Sequence, residues 1–283
     1  MTKFKMTPST ALDIVECVSR ALQEDVGDGD ITGALISLEQ IATAHITALQ
    51  PAVICGIPWA EEVFNQLEGD VSTNWLINEG QEVRTGDVVA VLSGSARSLL
   101  TGERTALNFL QTLSGTATCA RRYSSKIQDS SVRLLDTRKT IPGLRKAQKY
   151  AVRIGGCSNH RMGLYDSFLI KENHILACGG IAKAIQKARD IDKEKIVEVE
   201  VENMKEFKEA LEAGADIIML DNFSFEDMLR LKKIERGRTK IEISGGVTDE
   251  LLNKYQSLPV DFISSGSLTK HLEAIDLSMR FLD

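Results

Sequence analysis

Three sets of residues carry types and spacings that chemistry could use. Residues 133–174 hold nine Lys and Arg against three acids, inside a chain whose formal charge is −6. Within that stretch Arg138-Lys139 and His160-Arg161 adjoin apolar runs and small-residue turns, and Lys171 ends an apolar run. Arg145, Lys146 and Lys149 lie on a helical pattern and read as ordinary surface charge. A cationic island in an acidic protein suits a small, multiply charged anion. It does not suit a nucleic-acid surface, which usually needs a basic domain.

The second set is acidic. In IVEVEV (196–201) and the residue after it, Glu198, Glu200 and Glu202 fall on every second position and so share one face of a strand. Asp221 closes the next apolar run. Carboxylates so grouped hold a hard cation, bind sugar hydroxyls or pair with the cations above. The third set is two small turns, Ser244-Gly245-Gly246 and Ser265-Gly266-Ser267, each following a strand-like run. Glycine lets the backbone approach closely, and serine hydroxyls with the following amides can cradle a phosphate.

The elements that must position these residues show in the rhythm after residue 131. Strand-like runs at 132–135, 167–171, 196–201, 216–220, 240–243 and 260–264 alternate with helical patterns at 143–153, 179–190, 203–213, 224–235 and 248–256. That spacing predicts βαβ units and a parallel sheet. Polar or glycine-rich residues follow all six runs, which fits the rim of a βα barrel better than the single switch point of an open sheet. The stretch is short for eight units, so an abbreviated, open barrel is expected. A phosphate in such a barrel sits beyond the last two strands, where the two Ser-Gly turns lie.

The first half reads differently. A helix is expected over 8–24, stopped by Gly27 and Gly29, and EDVGDGDIT (24–32) reads as a tight acidic turn because an EF-hand's ligand spacing is missing. Residues 41–55 alternate as a strand, 58–67 form a short helix, and 75–94 suggest a hairpin about Thr85-Gly86-Asp87. That hairpin resembles half of a biotinyl or lipoyl carrier, but 68–96 contain no Lys to modify. Residues 95–127 are helical by period, with a break expected at Ser114-Gly115. On that helix Arg104 either pairs along the surface or reaches into a site.

Length and composition permit one large or two ordinary domains of a soluble protein. No apolar run is long enough for a membrane span, and MTKFKMTPST lacks the core of a secretory signal. Five cysteines without a CxxC pair argue for reduced thiols in a cytoplasmic protein.

Several long motifs, DTRKTIPGLRKAQKYAVRIGG, NHRMGLYDSFLIKENHI, VEVEVEN, GADIIMLDN and EISGGV, resemble those of the nicotinate-nucleotide pyrophosphorylases, or quinolinate phosphoribosyltransferases. GDGDIT and GERTALNFLQTLSGTAT are similar to the same family's N-terminal domain, so the likeness covers nearly the whole chain. It implies an α/β protein with an N-terminal α/β sandwich (1–115, joined by a C-terminal helix at 270–283) and a C-terminal open, TIM-like α/β barrel (116–269). It also implies a glycosyltransferase that joins quinolinate to phosphoribosyl pyrophosphate with loss of CO2, forming nicotinate mononucleotide for NAD, with Mg²⁺ and no organic cofactor. The substrates are small molecules, with no nucleic acid or membrane partner, and the assembly is a homodimer or larger.

By the same resemblance Arg104 enters the neighbouring subunit's site. Thr137, Arg138, Lys139, His160, Arg161 and Lys171 surround the quinolinate carboxylates and the pyrophosphate. Glu200 and Asp221 face the ribose and metal, and together with Lys139 they are the expected catalytic residues. Ser244, Gly245, Gly246, Ser265, Gly266 and Ser267 take the 5′-phosphate. Cys157 departs from the pattern, standing where the family typically has a third glycine, and a local change of backbone is expected there. A sibling transferase with another acceptor, a Schiff-base aldolase using Lys171 and a non-catalytic anion-binding protein remain open on the residues alone.

Overall fold

A computed structural model of the chain describes residues 8–127, 131–246, 249–255 and 257–282. In chain order the first elements are α1 (Pro8–Val26), β1 (Ile41–Ala48), β2 (Ala52–Val53), α2 (Ile57–Gln66), β3 (Val71–Trp75), β4 (Glu82–Val83), β5 (Val88–Ser95) and α3 (Ala96–Ser124). There follow β6 (Arg133–Leu135), α4 (Arg145–Ile154), β7 (Phe168–Ile170), α5 (Glu172–Cys178), α6 (Ile181–Ile191), β8 (Val197–Val201) and α7 (Met204–Glu212). The last are β9 (Ile217–Asp221), α8 (Phe225–Arg230), β10 (Lys240–Ser244), α9 (Asp249–Tyr255), β11 (Phe262–Ser264), α10 (Ser267–Lys270) and β12 (Leu277–Phe281). Of the helix expected over 248–256, positions 248 and 256 lie outside the described residues.

Two compact units result. The first takes the chain up to Arg121, Thr140–Gly156 and the residues from His271 onward; the second takes Arg122–Lys139 and Cys157–Lys270.

The first unit is an antiparallel sheet, ordered β12-β1-β5-β3, with α1 to α4 supplying the other half of its core. Ile14, Val18, Trp59, Leu107, Leu110 and Ala151 from the helices join Ala44, Ile46, Leu92 and Met279 from the sheet in one buried cluster. The end of the chain is a strand, not the expected helix. Leu277 and Met279 alternate with outward Ser278 and Arg280, a period of two, and β12 pairs with β1 from Ala44↔Phe281 to Ala48↔Leu277. No break occurs at Ser114-Gly115 either. Gly115 is there for close approach: a Cβ on it would stand 2.2 Å from the carbonyl oxygen of Glu273. The turn at 85–87 exists, with Gly86 at φ +91, but its flanks enter different sheets, β4 pairing with β2 and β5 with β1 and β3.

Helix α4 belongs to this unit, which corrects the reading of its charges. Its buried face includes Ala147, Ala151 and Val152, and Lys149 lies on it fully buried. Lys146 pairs with Asp13 of α1 at 3.1 Å, and Arg145 donates to the Thr140 hydroxyl. Helix α2 is capped from a distance: the Glu79 carboxylate accepts the backbone N–H groups of Gly56 and Ile57 at 2.8 and 3.1 Å. Burial raises the Glu79 pKa, against the pull of those N–H groups. Glu79→Ala is expected to cost about 2 kcal/mol by thermal or urea unfolding, since two donors at the helix start would lose their acceptor. A change below about 0.5 kcal/mol would show that the cap is dispensable.

The second unit is a parallel sheet ordered β6-β11-β10-β9-β8-β7. All six strands fall within a residue or two of the expected runs, because strands buried on both faces show near-continuous apolar sequence. Described residues form no ladder between β6 and β7, so the barrel is open there. The segment after α4 fills that position through one bridge, Leu135↔Ser158. Among the described residues no helix is long and apolar enough to cross a membrane.

Candidate active site

Alternation along the parallel strands decides which side chains meet inside the second unit. Leu169 and Lys171 from β7 and its end, Glu200 from β8, Met219 from β9, Ser244 from β10 and Ser264 from β11 all line one cavity of about 330 Å³. Thr137, Arg138 and Lys139, just beyond β6, complete it together with His160 and Arg161 from the open seam. Apart from Leu169 and Met219, which lie inside their strands, these positions fall near or beyond the C-terminal ends of the strands, where the loops of a βα barrel carry function.

The seam is fixed by a carboxylate rather than by a ladder. Asp136 is fully buried, and its carboxylate accepts the His160 backbone N–H at 2.9 Å and a side-chain N–H of Asn159. Arg161 N–H donates to His160 Nδ1 at 2.8 Å, so the ring proton belongs on Nε2, which lies 3.0 Å from Glu198 Oε2. Both nitrogens of His160 are thus engaged by the protein. Arg161 donates from Nη1 to the Ser167 carbonyl at 2.9 Å. Burial, then the neighbouring Arg138, lowers its pKa, while Glu198 and Asp166 work the other way. Two guanidinium groups held near each other are a standing demand for an anion.

Opposite them, Lys171 and Glu200 form an ion pair. Asp221 ends β9 beside Ser244 of β10 and accepts from the side chain of Asn222 at 3.2 Å. Asn222 holds φ +56, a left-handed backbone uncommon for a residue with a side chain. Gly245 (φ +89) and Gly246 (φ +56) turn the chain after β10, and a Cβ on Gly245 would lie 3.5 Å from Asp221 Oδ1. The Ser264 hydroxyl donates to that of Ser244 at 3.0 Å. A Cβ on Gly266 would stand 2.9 Å from Lys139 Cδ, so a side chain there would push the flexible Lys139 aside. Lys139 is steadied twice, its carbonyl accepting from Thr269 and its N–H donating to Thr137 Oγ1.

The structure therefore brings Thr137, Arg138, Lys139, His160, Arg161, Lys171, Glu200 and Ser244 to one cavity. Asp221, Gly245 and Gly246 lie on the same rim, as do Ser265, Gly266 and Ser267, but they do not line that cavity. Ser265 is buried and commits its N–H to the Leu135 carbonyl. Arg104 is exposed on α3, in the first unit. Glu202 falls beyond β8 and is exposed, so only Glu198 and Glu200 of that alternation face inward. Glu200 and Asp221 offer the hard oxygens that Mg²⁺ takes, usually as one or two carboxylates beside substrate phosphates, so the residue types fit the ion.

Sequence reasoning missed Leu169, Met219 and Glu242, and it placed Asp136 and Ser264 at strand ends without the structural roles they have here. Leu169 and Met219 are apolar residues inside strands, with no signal of their own. Glu242 sits in KIEIS, an alternation of the same kind as VEVEV, and could have been found by it. At position 157 no special backbone is needed. The positive φ belongs to Gly156, at +97, and Cys157 is buried without one.

Comparison with known proteins bears directly on this site. The family model described as quinolinate phosphoribosyl transferase, C-terminal domain, matches residues 116–280, and that of the N-terminal domain matches 30–114. A Bacillus subtilis protein named probable nicotinate-nucleotide pyrophosphorylase [carboxylating] is 40% identical over 269 residues, 95% of this chain and 93% of its own. A Nicotiana glauca protein named quinolinate phosphoribosyltransferase [decarboxylating] 2, mitochondrial, is 37% identical across 95% of this chain and 82% of its own. The solved nicotinate-nucleotide pyrophosphorylase of Francisella tularensis is 45% identical, with a TM-score of 0.93 and full coverage of both chains. On its sequence, its two matched domains and its fold, the chain belongs to the quinolinate phosphoribosyltransferase family.

Proposed function

We propose that the protein transfers the phosphoribosyl group of phosphoribosyl pyrophosphate to quinolinate with loss of CO2, forming nicotinate mononucleotide and pyrophosphate in NAD biosynthesis. Membership of the family supports this reading, and the observation that carries it is the cavity lined by Arg138, Lys139, Arg161 and Lys171 beside Glu200. Quinolinate is a dianion, and planar guanidinium groups bind carboxylates through short, charge-assisted bonds. We assign the acceptor's carboxylates and the pyrophosphate to this cationic wall, with Thr137 alongside. His160 serves as part of the wall's frame, since its nitrogens are already used.

Loss of pyrophosphate builds positive charge on the ribose, and Glu200 and Asp221 are the carboxylates placed to stabilise it. Lys139 would meet the departing pyrophosphate. Ser244–Gly246 and Ser265–Ser267 would receive the 5′-phosphate. Asp221, and Glu200 where Lys171 turns to substrate, would hold Mg²⁺, which when bound neutralises phosphate charge. The active assembly in this reading is at least a homodimer, with the exposed Arg104 supplied to a partner's cavity. Its compartment is the cytoplasm, in keeping with five cysteines none of which is in a disulfide. The ion pair of Lys171 with Glu200 suits an anion-binding cation better than the amine nucleophile of an aldolase.

The direct test is formation of nicotinate mononucleotide from quinolinate and phosphoribosyl pyrophosphate. Activity is expected with Mg²⁺ and a loss of at least about tenfold after chelation. Absence of product under both conditions would overturn the reading. Product from nicotinate but none from quinolinate would reassign the acceptor.

A further inference from the structure

Three cations of the cavity come from two arms of the chain that start side by side. One arm is β6 and its continuation through Thr137, Arg138 and Lys139; the other runs from Ser158 to Arg161. Ser158 N–H donates to the Leu134 carbonyl at 2.8 Å, and Asp136 N–H donates to the Ser158 carbonyl at 3.1 Å, which makes the bridge of the open seam. One step further along, a side chain takes over from the backbone. The Asp136 carboxylate accepts the His160 N–H on one oxygen, at 2.9 Å, and a side-chain N–H of Asn159 on the other. Beyond that tie each arm delivers its charge, Arg138 and Lys139 on one side and Arg161 on the other.

A carboxylate suits this branch point, since its two oxygens can each accept from a different donor. Asp136 is fully buried, so water does not compete for those bonds. The tie also works against a load. After burial, Arg138 is the next cause that lowers the Arg161 pKa, so the two guanidinium groups repel each other across the cavity. An untied seam would let that repulsion move the arms apart, because the bridge alone lies two residues back from the charges.

We propose that Asp136 is a positioning residue that decides which dicarboxylate the cavity takes: by fastening the two cationic arms where they part, it fixes the separation of Arg138 from Arg161, and the cavity selects ring dicarboxylates by the separation of their carboxylate groups. Asp136 touches no substrate in this role. It acts through the backbone, being joined directly to Thr137 on one arm and hydrogen-bonded to the residue before Arg161 on the other. The inference rests on the quinolinate reading of the cavity, in which the two carboxylates stand on adjacent ring carbons.

Calorimetric binding of benzene-1,2-dicarboxylate and benzene-1,3-dicarboxylate to the full chain would test it. Neither ring carries the nitrogen that would react, so affinity is read without turnover. The parent is expected to prefer the 1,2 isomer by at least about 30-fold, the scale of a binding group misplaced by roughly 1 Å. In Asp136→Ala the two affinities should come within about threefold of each other. Both isomers carry the same charge, so a lost negative charge or a smaller folded fraction would leave their ratio where it was. Asp136→Asn separates geometry from charge: its oxygen can still take the His160 N–H, and the Asn159 amide can turn its own oxygen to the new N–H. That variant should keep the parent's ratio within about threefold. A parent ratio below about threefold, an unchanged ratio in Asp136→Ala, or equal collapse in the Ala and Asn variants would each overturn the proposal. Should Asp136→Ala fail to fold, Asn159→Ala removes one of the two donors and must lower the ratio at least about threefold; an unchanged ratio there overturns the proposal too. Turnover of quinolinate by the parent is measured separately. Turnover with a ratio indifferent to Asp136 sinks this inference alone, and an Asp136-dependent ratio without turnover sinks the quinolinate reading alone. Binding of neither isomer by the parent would overturn both.

Discussion

Arg161→Ala is expected to lower kcat/KM for quinolinate by about 100- to 1000-fold, the loss of one or two charge-assisted hydrogen bonds to a carboxylate. The side chain is half-buried beside Arg138 and spends one nitrogen on the Ser167 carbonyl, leaving the rest of its planar fork for the cavity. Arg161→Lys should recover only part of the loss, because a point charge cannot reproduce a bidentate fork. The melting temperature should stay within about 5 °C of the parent, since one backbone carbonyl is all that loses a donor. Kinetics with quinolinate as the varied substrate would measure this. A change smaller than about threefold would remove Arg161 from the binding set.

Gly155→Ala should act in the opposite way, on folding and hardly on the chemistry of the molecules that do fold. Gly155 ends α4, and a Cβ there would lie 2.4 Å from the Cβ of Ala120 and 2.5 Å from the Ala117 carbonyl oxygen of α3. Both obstacles are backbone or next to it, so no flexible side chain can give way. Overpacking of this kind costs about 3 kcal/mol, equivalent to roughly 6–10 °C in melting temperature for a chain of this size. Thermal unfolding followed by circular dichroism is the measurement. A shift below about 2 °C would mean that α3 and α4 separate more easily than their contact suggests.

The parallel sheet was legible because its strands are buried on two faces, which writes an apolar run followed by a polar rim residue six times over. Arg138, Lys139 and Lys171 stood out for a related reason, as charges placed where such a run ends, and Arg161 as a charge beside a small-residue turn. Allegiance between segments was harder to read. Residues 140–156 and 271 onward fold with the first unit, although they sit inside or after the barrel sequence, and no local pattern reports a long-range contact. Lys149 shows the cost of that gap: its residue type argued for the surface, and the packing of α4 buries it. The cluster of His160, Glu198 and Glu242 was hidden for a similar reason, because it forms from three separate segments of the chain.

The missing ladder between β6 and β7 gives the molecule a division of labour. In the continuous part of the sheet the strands are hydrogen-bonded to their neighbours in fixed register, so a changed length or angle there would propagate across its partners. The seam instead hangs from Asp136 and a single bridge. Insertions, deletions or altered side chains in it can reshape what the cavity accepts while the continuous strands keep their register. Divergence toward new acceptors within such a scaffold would therefore be expected to begin at 157–161, with little change in the strands that carry Glu200 and Asp221.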